Sequence, residues 1–393
     1  MSAPAAASTG GHCVGRVDDG HAPNTGAARV DRFATRLTTR SVTTTTHVSL
    51  SRVRRRDQCE LADWWATTGA HGGWRPDAPV EVRVAHALKG LTSVPAVLGV
   101  GIHDAFARIT RALRDGRRPP AYEELYEGMR GRLNAAARNR DVGGWLADDR
   151  RGPLLREVLL GEWPEGRPPV AIVEATQARA AGLLRRLLSH PVLADLAACG
   201  RGDILACDSL EATLVEMVGV PVRVYAAPDV AYISRARIEL PDVGVPLPAG
   251  TAVIADVKSG RVGDRIEAAR SQLQVYAWYA VTHLGVRYGP TGCIAARVVD
   301  LSARTPGESD VWWAFGPADV EQGRRTLERC VEGIAAQQDA TGMIDRDRVS
   351  RTPTACRWCN WSVICANPEL APPAWRQYLD SAGARESGDR PGL

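Results

Sequence analysis

The sequence has 393 residues, 45% of them hydrophobic and 24% charged, which is ordinary for a globular protein with a full core. The net charge of +4 permits a nucleic-acid partner without requiring one. No apolar stretch has membrane-spanning length and the N-terminus lacks a secretory apolar segment, so we expect a cytoplasmic protein. Nine cysteines in so long a chain do not resemble a disulfide scaffold, and clustered cysteines in a cytosolic protein indicate metal binding.

Composition divides the chain into a central globular part and two tails. Residues 1–46 are rich in Ala, Thr, Gly and Ser without hydrophobic periodicity, which predicts a disordered tail. We assign residues 371–393 to a second disordered tail and 47–370 to one globular unit. Within that unit, residues 114–200 are polar, Arg-rich and interrupted by prolines, and they are interpreted as a helical insertion.

The globular part begins with a short serine-capped helix over Ser49–Arg56, followed by Cys59 and the aromatic pair Trp64-Trp65. A single cysteine in this context is most simply a small buried thiol. The helix carries four arginines that either contact a phosphate backbone or form a solvated face: Arg52, Arg54, Arg55 and Arg56.

A longer helix is predicted from Val97, because apolar residues recur along it at helical spacing. His103 lies about 100° from that apolar stripe, at its edge. A lone histidine in such a position is usually structural, so the helix by itself assigns it no function.

Strands are predicted over residues 209–218 and 220–233, and Asp229 follows Pro228 near a bend because proline is unfavourable inside a central strand. Two more strands are predicted over 293–301 and 311–315, followed by a helix over 317–337.

The most informative stretch runs from Thr251 to Tyr279. An apolar run, Ala252-Val253-Ile254-Ala255, predicts a buried strand that leads into Asp256-Val257-Lys258 and ends at Ser259-Gly260. Residues two apart in a strand share a face, so Asp256 and Lys258 lie together while Val257 packs on the other side. On the following helix, Gln272 and Tyr276 are four apart and share one face.

A carboxylate beside an amine suits phosphodiester hydrolysis, because the carboxylate binds a divalent cation and the ammonium stabilises charge. A lone pair of this kind is more often a surface ion pair. The chain nevertheless contains only two lysines, Lys89 and Lys258, among 49 basic residues. A compact amine at this position is therefore not a compositional accident, since lysine and arginine are not interchangeable at a tight site.

Three cysteines lie within ten residues near the C-terminus: Cys356, Cys359 and Cys365, in the spacing C-x2-C-x5-C. Structural zinc and 4Fe–4S clusters each take four protein ligands, so a fourth partner is required. Thiolates suit either metal, and zinc remains the alternative to iron.

Together these motifs resemble the PD-(D/E)XK nuclease superfamily, and most closely its RecB-type branch, which includes the CRISPR-associated adaptation exonucleases. The resemblance rests on five elements in order: Gly99-x-Gly101-x-His103, Pro228-Asp229, Asp256-Val257-Lys258, Gln272-x-x-x-Tyr276 and the cysteines.

The resemblance implies a restriction-endonuclease-like α/β core with a mixed central sheet and a helical insertion. It also implies an iron–sulfur cluster staple, that is, a cluster whose cysteine ligands join the start of the globular unit to its C-terminal end. His103, Asp229, Asp256 and the carbonyl of Val257 would bind Mg²⁺ or Mn²⁺. Lys258 would position water and stabilise the phosphate. Gln272 and Tyr276 would organise the site and the DNA strand. Cys59 would be the fourth cluster ligand with Cys356, Cys359 and Cys365.

The implied function is a metal-dependent deoxyribonuclease, with exonuclease action on single strands or ends, in repair, CRISPR adaptation or phage defence. No Walker A motif accompanies either lysine, so unwinding requires a helicase partner, and a CRISPR integrase is the other candidate partner. The alternatives are a non-catalytic nucleic-acid-binding protein with a zinc or iron–sulfur site, and a redox iron–sulfur protein.

Overall fold

A computed structural model describes residues 45–75, 77–138, 154–157, 169–208, 212–226, 228–240, 246–305, 309–339 and 341–365. The two predicted tails lie outside these ranges, apart from residues 45 and 46. Within the described ranges, no helix combines the length and apolar character needed to cross a membrane.

The described strands, in chain order, are β1 (Thr46–Ser49), β2 (Leu91–Thr92), β3 (Leu154–Leu155), β4 (Ile204–Ala206), β5 (Ala212–Met217), β6 (Val220–Tyr225), β7 (Val230–Ile233), β8 (Ala252–Lys258), β9 (Ile294–Asp300) and β10 (Asp310–Phe315). The described α-helices are α1 (Leu50–Gln58), α2 (Glu60–Trp64), α3 (Val80–Leu88), α4 (Val94–Arg114), α5 (Tyr122–Arg138), α6 (Pro169–Leu188), α7 (Pro191–Ala198), α8 (Ile266–His283), α9 (Pro317–Ala336) and α10 (Ser362–Cys365).

The largest sheet has five strands in the order β10-β9-β8-β7-β4. Strands β8 and β9 run parallel, while every other neighbouring pair in this sheet is antiparallel. The prediction of an α/β fold with a mixed central sheet is therefore confirmed. A separate three-stranded sheet, β1-β6-β5, and a two-stranded pair, β2-β3, complete the described strands.

Strand β8 is buried on both faces, and its side chains alternate between two parts of the core. Ala252 and Ile254 pack with residues of α8 and α9. Val253, Ala255 and Val257 pack on the opposite face with residues of α4, α5 and α6. This alternation directs Asp256 and Lys258 towards the α8 side, as the two-residue period predicts.

The predicted strand over 220–233 is wrong as a single element. The structure divides it into β6 and β7, which belong to different sheets. Pro228, between them, has no amide hydrogen to donate to a strand partner, and this accounts for the break. The break places Asp229 directly before β7.

Helix α4 begins three residues earlier than predicted. Ser93 caps its N-terminus by accepting a hydrogen bond from the amide of Ala96 at 3.3 Å, and Pro95 occupies the first turn. Both are standard features of a helix start. The described helices of 114–200 pack against α4, and Leu184 and Leu187 of α6 are fully buried in the core on that side of the sheet.

Helices α8 and α9 are in close backbone contact at Gly323. A β-carbon built there would lie 2.1 Å from the carbonyl oxygen of Gln274, which belongs to the backbone of α8. No rotamer change relieves a contact with backbone, so only glycine fits unless the helices separate. Gly323 therefore sets the distance between α9 and the helix that carries Gln272 and Tyr276.

We expect Gly323→Ala to destabilise the protein by about 1–3 kcal/mol, the usual cost of overpacking a tight contact. Gly131, in the middle of α5, is a matched control because a β-carbon there meets no atom within 4 Å. Gly131→Ala should stabilise the protein by roughly 0.5–1 kcal/mol. Denaturant unfolding of both variants measures the difference, and a neutral or stabilising Gly323→Ala would contradict the packing argument.

Candidate active site

The register of β7 and β8 brings the two central carboxylates together. Val230 pairs with Ala255 in an antiparallel arrangement, so Asp229, one residue earlier, lies beside Asp256, one residue later. The amide of Val257 donates a 2.7 Å hydrogen bond to Asp229 Oδ2. The carboxylate of Asp229 is thereby fixed to the backbone of β8, on which the Asp256-Val257-Lys258 motif lies.

Gln272 connects the motif on β8 to helix α8. Its Nε2 donates to Asp256 Oδ1 at 3.0 Å and to the hydroxyl of Tyr276 at 2.8 Å. Its Oε1 accepts from Lys258 Nζ at 2.9 Å. Lys258 Nζ also lies 2.5 Å from Asp256 Oδ2 as an ion pair. The four side chains form one network, and Gln272 and Tyr276 share the helix face that their spacing predicts.

His103 reaches the site from α4, on the opposite face of the sheet. Its Nδ1 lies 2.8 Å from Asp229 Oδ1, and about a third of its side chain is exposed. It therefore lies at the edge of the apolar stripe, as predicted. The structure thus gathers His103, Asp229, Asp256, Val257, Lys258, Gln272 and Tyr276 at one place.

The electrostatics of the site favour a cation. Burial raises the pKa of Asp256, and the neighbouring charge of Asp229 raises it further, against the opposing effects of Lys258 and His103. Burial lowers the pKa of His103, but the charge of Asp229 and its hydrogen bond outweigh burial, and the net shift is upward. Two close carboxylates in a buried setting thus draw positive charge to themselves.

The donor types present fit a hard divalent cation, because carboxylate oxygens are the ligands that Mg²⁺ and Mn²⁺ prefer. Asp256 Oδ2 is buried and accepts no hydrogen bond of normal geometry, although the Lys258 ammonium is close to it. Within the part of the chain that the structure describes, no three His, Cys, Asp or Glu side chains are arranged tightly enough to hold a metal. At this site Lys258, Gln272, His103 and the Val257 amide contact the two carboxylates.

Two further polar residues lie near the site: Asp208 was not identified from the sequence, and Arg54 was identified only as one of four arginines that contact phosphate or form a solvated face. Arg54 of α1 donates from Nη2 to Gln272 Oε1 at 2.5 Å, so it shares that oxygen with Lys258. Asp208 follows β4, and burial together with the charge of Asp229 raises its pKa. No local pattern marks Arg54, since its partner lies 218 residues away.

The other three arginines of α1 do not form a solvated face, which corrects that interpretation of them, because they pair with a carboxylate of the protein. Arg52, Arg55 and Arg56 surround the fully buried carboxylate of Asp63, at distances of 3.0, 3.3 and 3.5 Å. An ionised carboxylate inside a protein needs such compensation. The cluster fixes α1 to α2 and so positions Arg54.

The four predicted cluster cysteines come together, although Cys59 is far from the others in sequence. Burial raises the pKa of the Cys359 thiol to about 11, and the other three cysteines, Cys59, Cys356 and Cys365, add to the rise. Cys59 is buried and the other three are half-buried. The four thiols are near one another but not close enough to hold a metal as they stand, so a metal that bound them as thiolates would draw them closer together.

Polar contacts that need no metal also hold the C-terminal cysteine segment in place. Asn360 Nδ2 donates to the carbonyls of Leu88 and Leu91, both at 3.1 Å. The indole of the buried Trp361 donates to the carbonyl of Ala85 at 3.0 Å. These contacts attach the segment to α3 and to the residues that follow it.

The mixed sheet and the Asp256-Val257-Lys258 motif on it have the form that the resemblance to PD-(D/E)XK nucleases implies. A family model of the PD-(D/E)XK nuclease superfamily matches residues 47–366. The match covers most of the chain, and the protein belongs to the PD-(D/E)XK nuclease superfamily. Its α/β architecture fits the restriction-endonuclease-like fold. A search of curated proteins finds no significant match.

A ligand role for His103 makes a distinct prediction. We expect His103→Ala to raise the Mn²⁺ concentration needed for half-maximal DNA cleavage without unfolding the protein, because the side chain is one-third exposed and off the apolar stripe. Titration of cleavage with Mn²⁺, beside a melting curve, measures both. His71→Ala is the control, since His71 is exposed and lies outside this network. If His103→Ala lowers the melting temperature and leaves the Mn²⁺ requirement unchanged, His103 has a structural role and is not a metal ligand.

Proposed function

We propose that this protein is a metal-dependent deoxyribonuclease that acts as an exonuclease on single strands or DNA ends. The observation that carries the proposal is the single hydrogen-bonded network of Asp256, Lys258, Gln272 and Tyr276 beside Asp229. Membership of the nuclease superfamily supports it, because Pro228-Asp229 and Asp256-Val257-Lys258 have the residue types and order that give the PD-(D/E)XK superfamily its name.

Each residue then has a role that its position supports. Asp229 and Asp256, with His103 and the carbonyl of Val257, would hold Mg²⁺ or Mn²⁺, which nucleases of this superfamily usually use. When bound, such an ion polarises the phosphate and lowers the pKa of bound water. Lys258 stabilises negative charge on the reacting phosphate, since its ammonium is only one-quarter exposed and is already oriented.

Gln272 and Tyr276 keep the charged groups of the site in place. Gln272 bonds to Asp256 and Lys258 at once, so it fixes the distance between carboxylate and ammonium. The hydroxyl of Tyr276 accepts from the amide of Gln272 and determines which way that amide faces. Burial raises the pKa of Tyr276, which therefore stays a neutral phenol at neutral pH.

The same proposal includes membership of the RecB-type branch and a helicase or integrase partner. It also includes a 4Fe–4S cluster held by Cys59, Cys356, Cys359 and Cys365. The proximity of the four thiols supports the cluster, and zinc is the alternative metal. The division into a nuclease unit over 47–370 with a helical insertion over 114–200 also belongs to it. Repair, CRISPR adaptation and phage defence are the processes in which such an enzyme acts.

A comparison of linear with covalently closed circular DNA tests exonuclease action. The protein, purified without oxygen, is incubated with Mn²⁺ and each substrate in single- and double-stranded form. Linear DNA should be degraded to short products while circular DNA of the same sequence stays intact, because an exonuclease needs an end. Equal cutting of circular DNA would show that the enzyme is an endonuclease. The proposed roles of the residues at the hydrolytic site would still stand.

A further inference from the structure

An open pocket of about 400 Å³ lies beside the connection between β8 and α8. Its lining residues come from α6, from the segment after β8 and from the segment after β9: Arg179, Gly182, Leu183, Arg186, Arg261 and Ser302. Half of these residues carry a positive charge and none is acidic. Gly182 leaves the pocket open, since a β-carbon there would meet no atom within 4 Å.

One carboxylate, that of Asp300, lies beside the pocket and accepts hydrogen bonds from Ser302 and from the amide of Val262, but it forms no ion pair with the three arginines. None of them forms an ion pair with a carboxylate among the described residues, whereas Arg297 and Arg324 each contact two carboxylates. Like charges gathered in a concavity create a strong local positive potential. A bound anion would remove the repulsion between them.

Two of the arginines are held in place by backbone carbonyls. Arg179 Nη2 donates to the carbonyl of Ser259 at 3.1 Å. Arg186 Nη1 donates to the carbonyls of Leu301 and Ala303 at 3.0 and 2.9 Å. A guanidinium has five N–H donors, so both retain donors that have no partner among the described residues. Their partners are neutral groups, and the positive charge is kept.

The pocket also adjoins the end of β8, the strand that carries Asp256 and Lys258. Ser259, whose carbonyl holds Arg179, directly follows Lys258, and Arg261 is two residues further along the same connection. Helix α6 packs on the face of the sheet opposite to Asp256 and Lys258, so a linear anion bound at those residues reaches this pocket with its next charged groups by crossing the end of β8. The repeating phosphates of a nucleic-acid strand have this form, and arginine binds phosphate oxygens in a bidentate manner.

We propose that the pocket of Arg179, Arg186 and Arg261 binds the phosphate backbone of the substrate DNA strand next to the bond that is cut. This inference rests on the proposed nuclease function. The pocket positions the strand and takes no part in the chemical step. Its contacts are made to phosphates, so it contributes to affinity without selecting a sequence.

The test is the salt dependence of cleavage by the full-length protein on whichever linear DNA the wild type cuts in Mn²⁺. Arg179→Gln, Arg261→Gln and the double variant are compared with Arg185→Gln. Arg185 lies on the same helix but outside the pocket, with its guanidinium over the ring of Tyr122. Arg186 is left intact because it holds two carbonyls.

Each pocket substitution should raise KM more than it lowers kcat. Each should also reduce the slope of log(kcat/KM) against log salt concentration by about 0.7 on a single strand and about 0.9 on a duplex, the value of one lost phosphate contact. Arg185→Gln should match the wild type. If the double variant cleaves DNA with the KM and the salt slope of the wild type, the proposed role of the pocket is overturned and the nuclease function is not. Absence of wild-type cleavage would overturn the proposed function and the pocket together.

Discussion

Lys258→Ala is expected to lower the rate of DNA cleavage by about 10²- to 10³-fold, the usual effect of losing one preorganised electrostatic group. Among the described residues, Lys258 is the basic side chain that forms an ion pair with Asp256, whereas Arg54 shares Gln272 Oε1 with it but forms no ion pair with that carboxylate. DNA binding and the melting temperature should change little. Single-turnover cleavage, beside a binding titration, measures the two effects separately.

Lys89→Ala is the matched control, because Lys89 is the only other lysine and its side chain is exposed, outside the site. It should cleave like the wild type. Asp256→Ala should abolish cleavage in a different way, by removing a metal ligand, and should also weaken Mn²⁺ binding. Wild-type-like cleavage by Lys258→Ala would remove the lysine from the mechanism.

Cys356→Ser or Cys365→Ser is expected to yield poorly soluble, protease-sensitive protein that has lost its bound metal and, with its fold, its nuclease activity. A metal held by Cys59 and the C-terminal cysteines closes a loop over most of the chain. By analogy with the chain-entropy model of disulfides, such closure is worth about 5 kcal/mol. That value is comparable with the whole stability of a typical domain. Metal binding is therefore expected to be coupled to folding.

Limited proteolysis, iron and zinc content and absorbance near 400 nm test this expectation. Cys199→Ser is the control, since the Cys199 thiol lies outside the cluster and donates to the carbonyls of Asp195 and Ile233, which a hydroxyl can also do. It should keep metal and activity. Stoichiometric zinc in colourless wild-type protein would show that the bound metal is zinc and not iron. The proposal that a metal on the four cysteines stabilises the fold would still stand. A folded, active Cys356→Ser variant would exclude a metal site at these cysteines that the fold requires.

The parts of the site that depend on local periodicity were predictable from the sequence. The two-residue period of β8 placed Asp256 and Lys258 on one face, and the helical spacing placed Gln272 beside Tyr276. The meeting of Asp229 with Asp256 was available only through the family resemblance. Strand pairing depends on register, and nothing in the local sequence of β7 determines its register with β8.

Contacts between distant segments account for what the sequence did not reveal. Arg54 meets Gln272 only because α1 packs against the core that holds α8, and Asp63 fixes α1 through Arg52, Arg55 and Arg56. The need for glycine at position 323 likewise depends on a backbone contact with another helix. The division of residues 220–233 into two strands depended on Pro228, whose presence indicated a bend but not a change of sheet.

The most direct test of the proposed nuclease function is cleavage of end-labelled linear DNA by protein purified without oxygen, with Mn²⁺, with EDTA, and with Mn²⁺ restored after EDTA. We expect degradation in Mn²⁺, none in EDTA, and recovery when the ion returns, because Asp229 and Asp256 would act on phosphate through a bound cation. Folded protein that binds the DNA tightly in Mn²⁺ and leaves it intact would contradict the nuclease function and identify a non-catalytic nucleic-acid-binding protein.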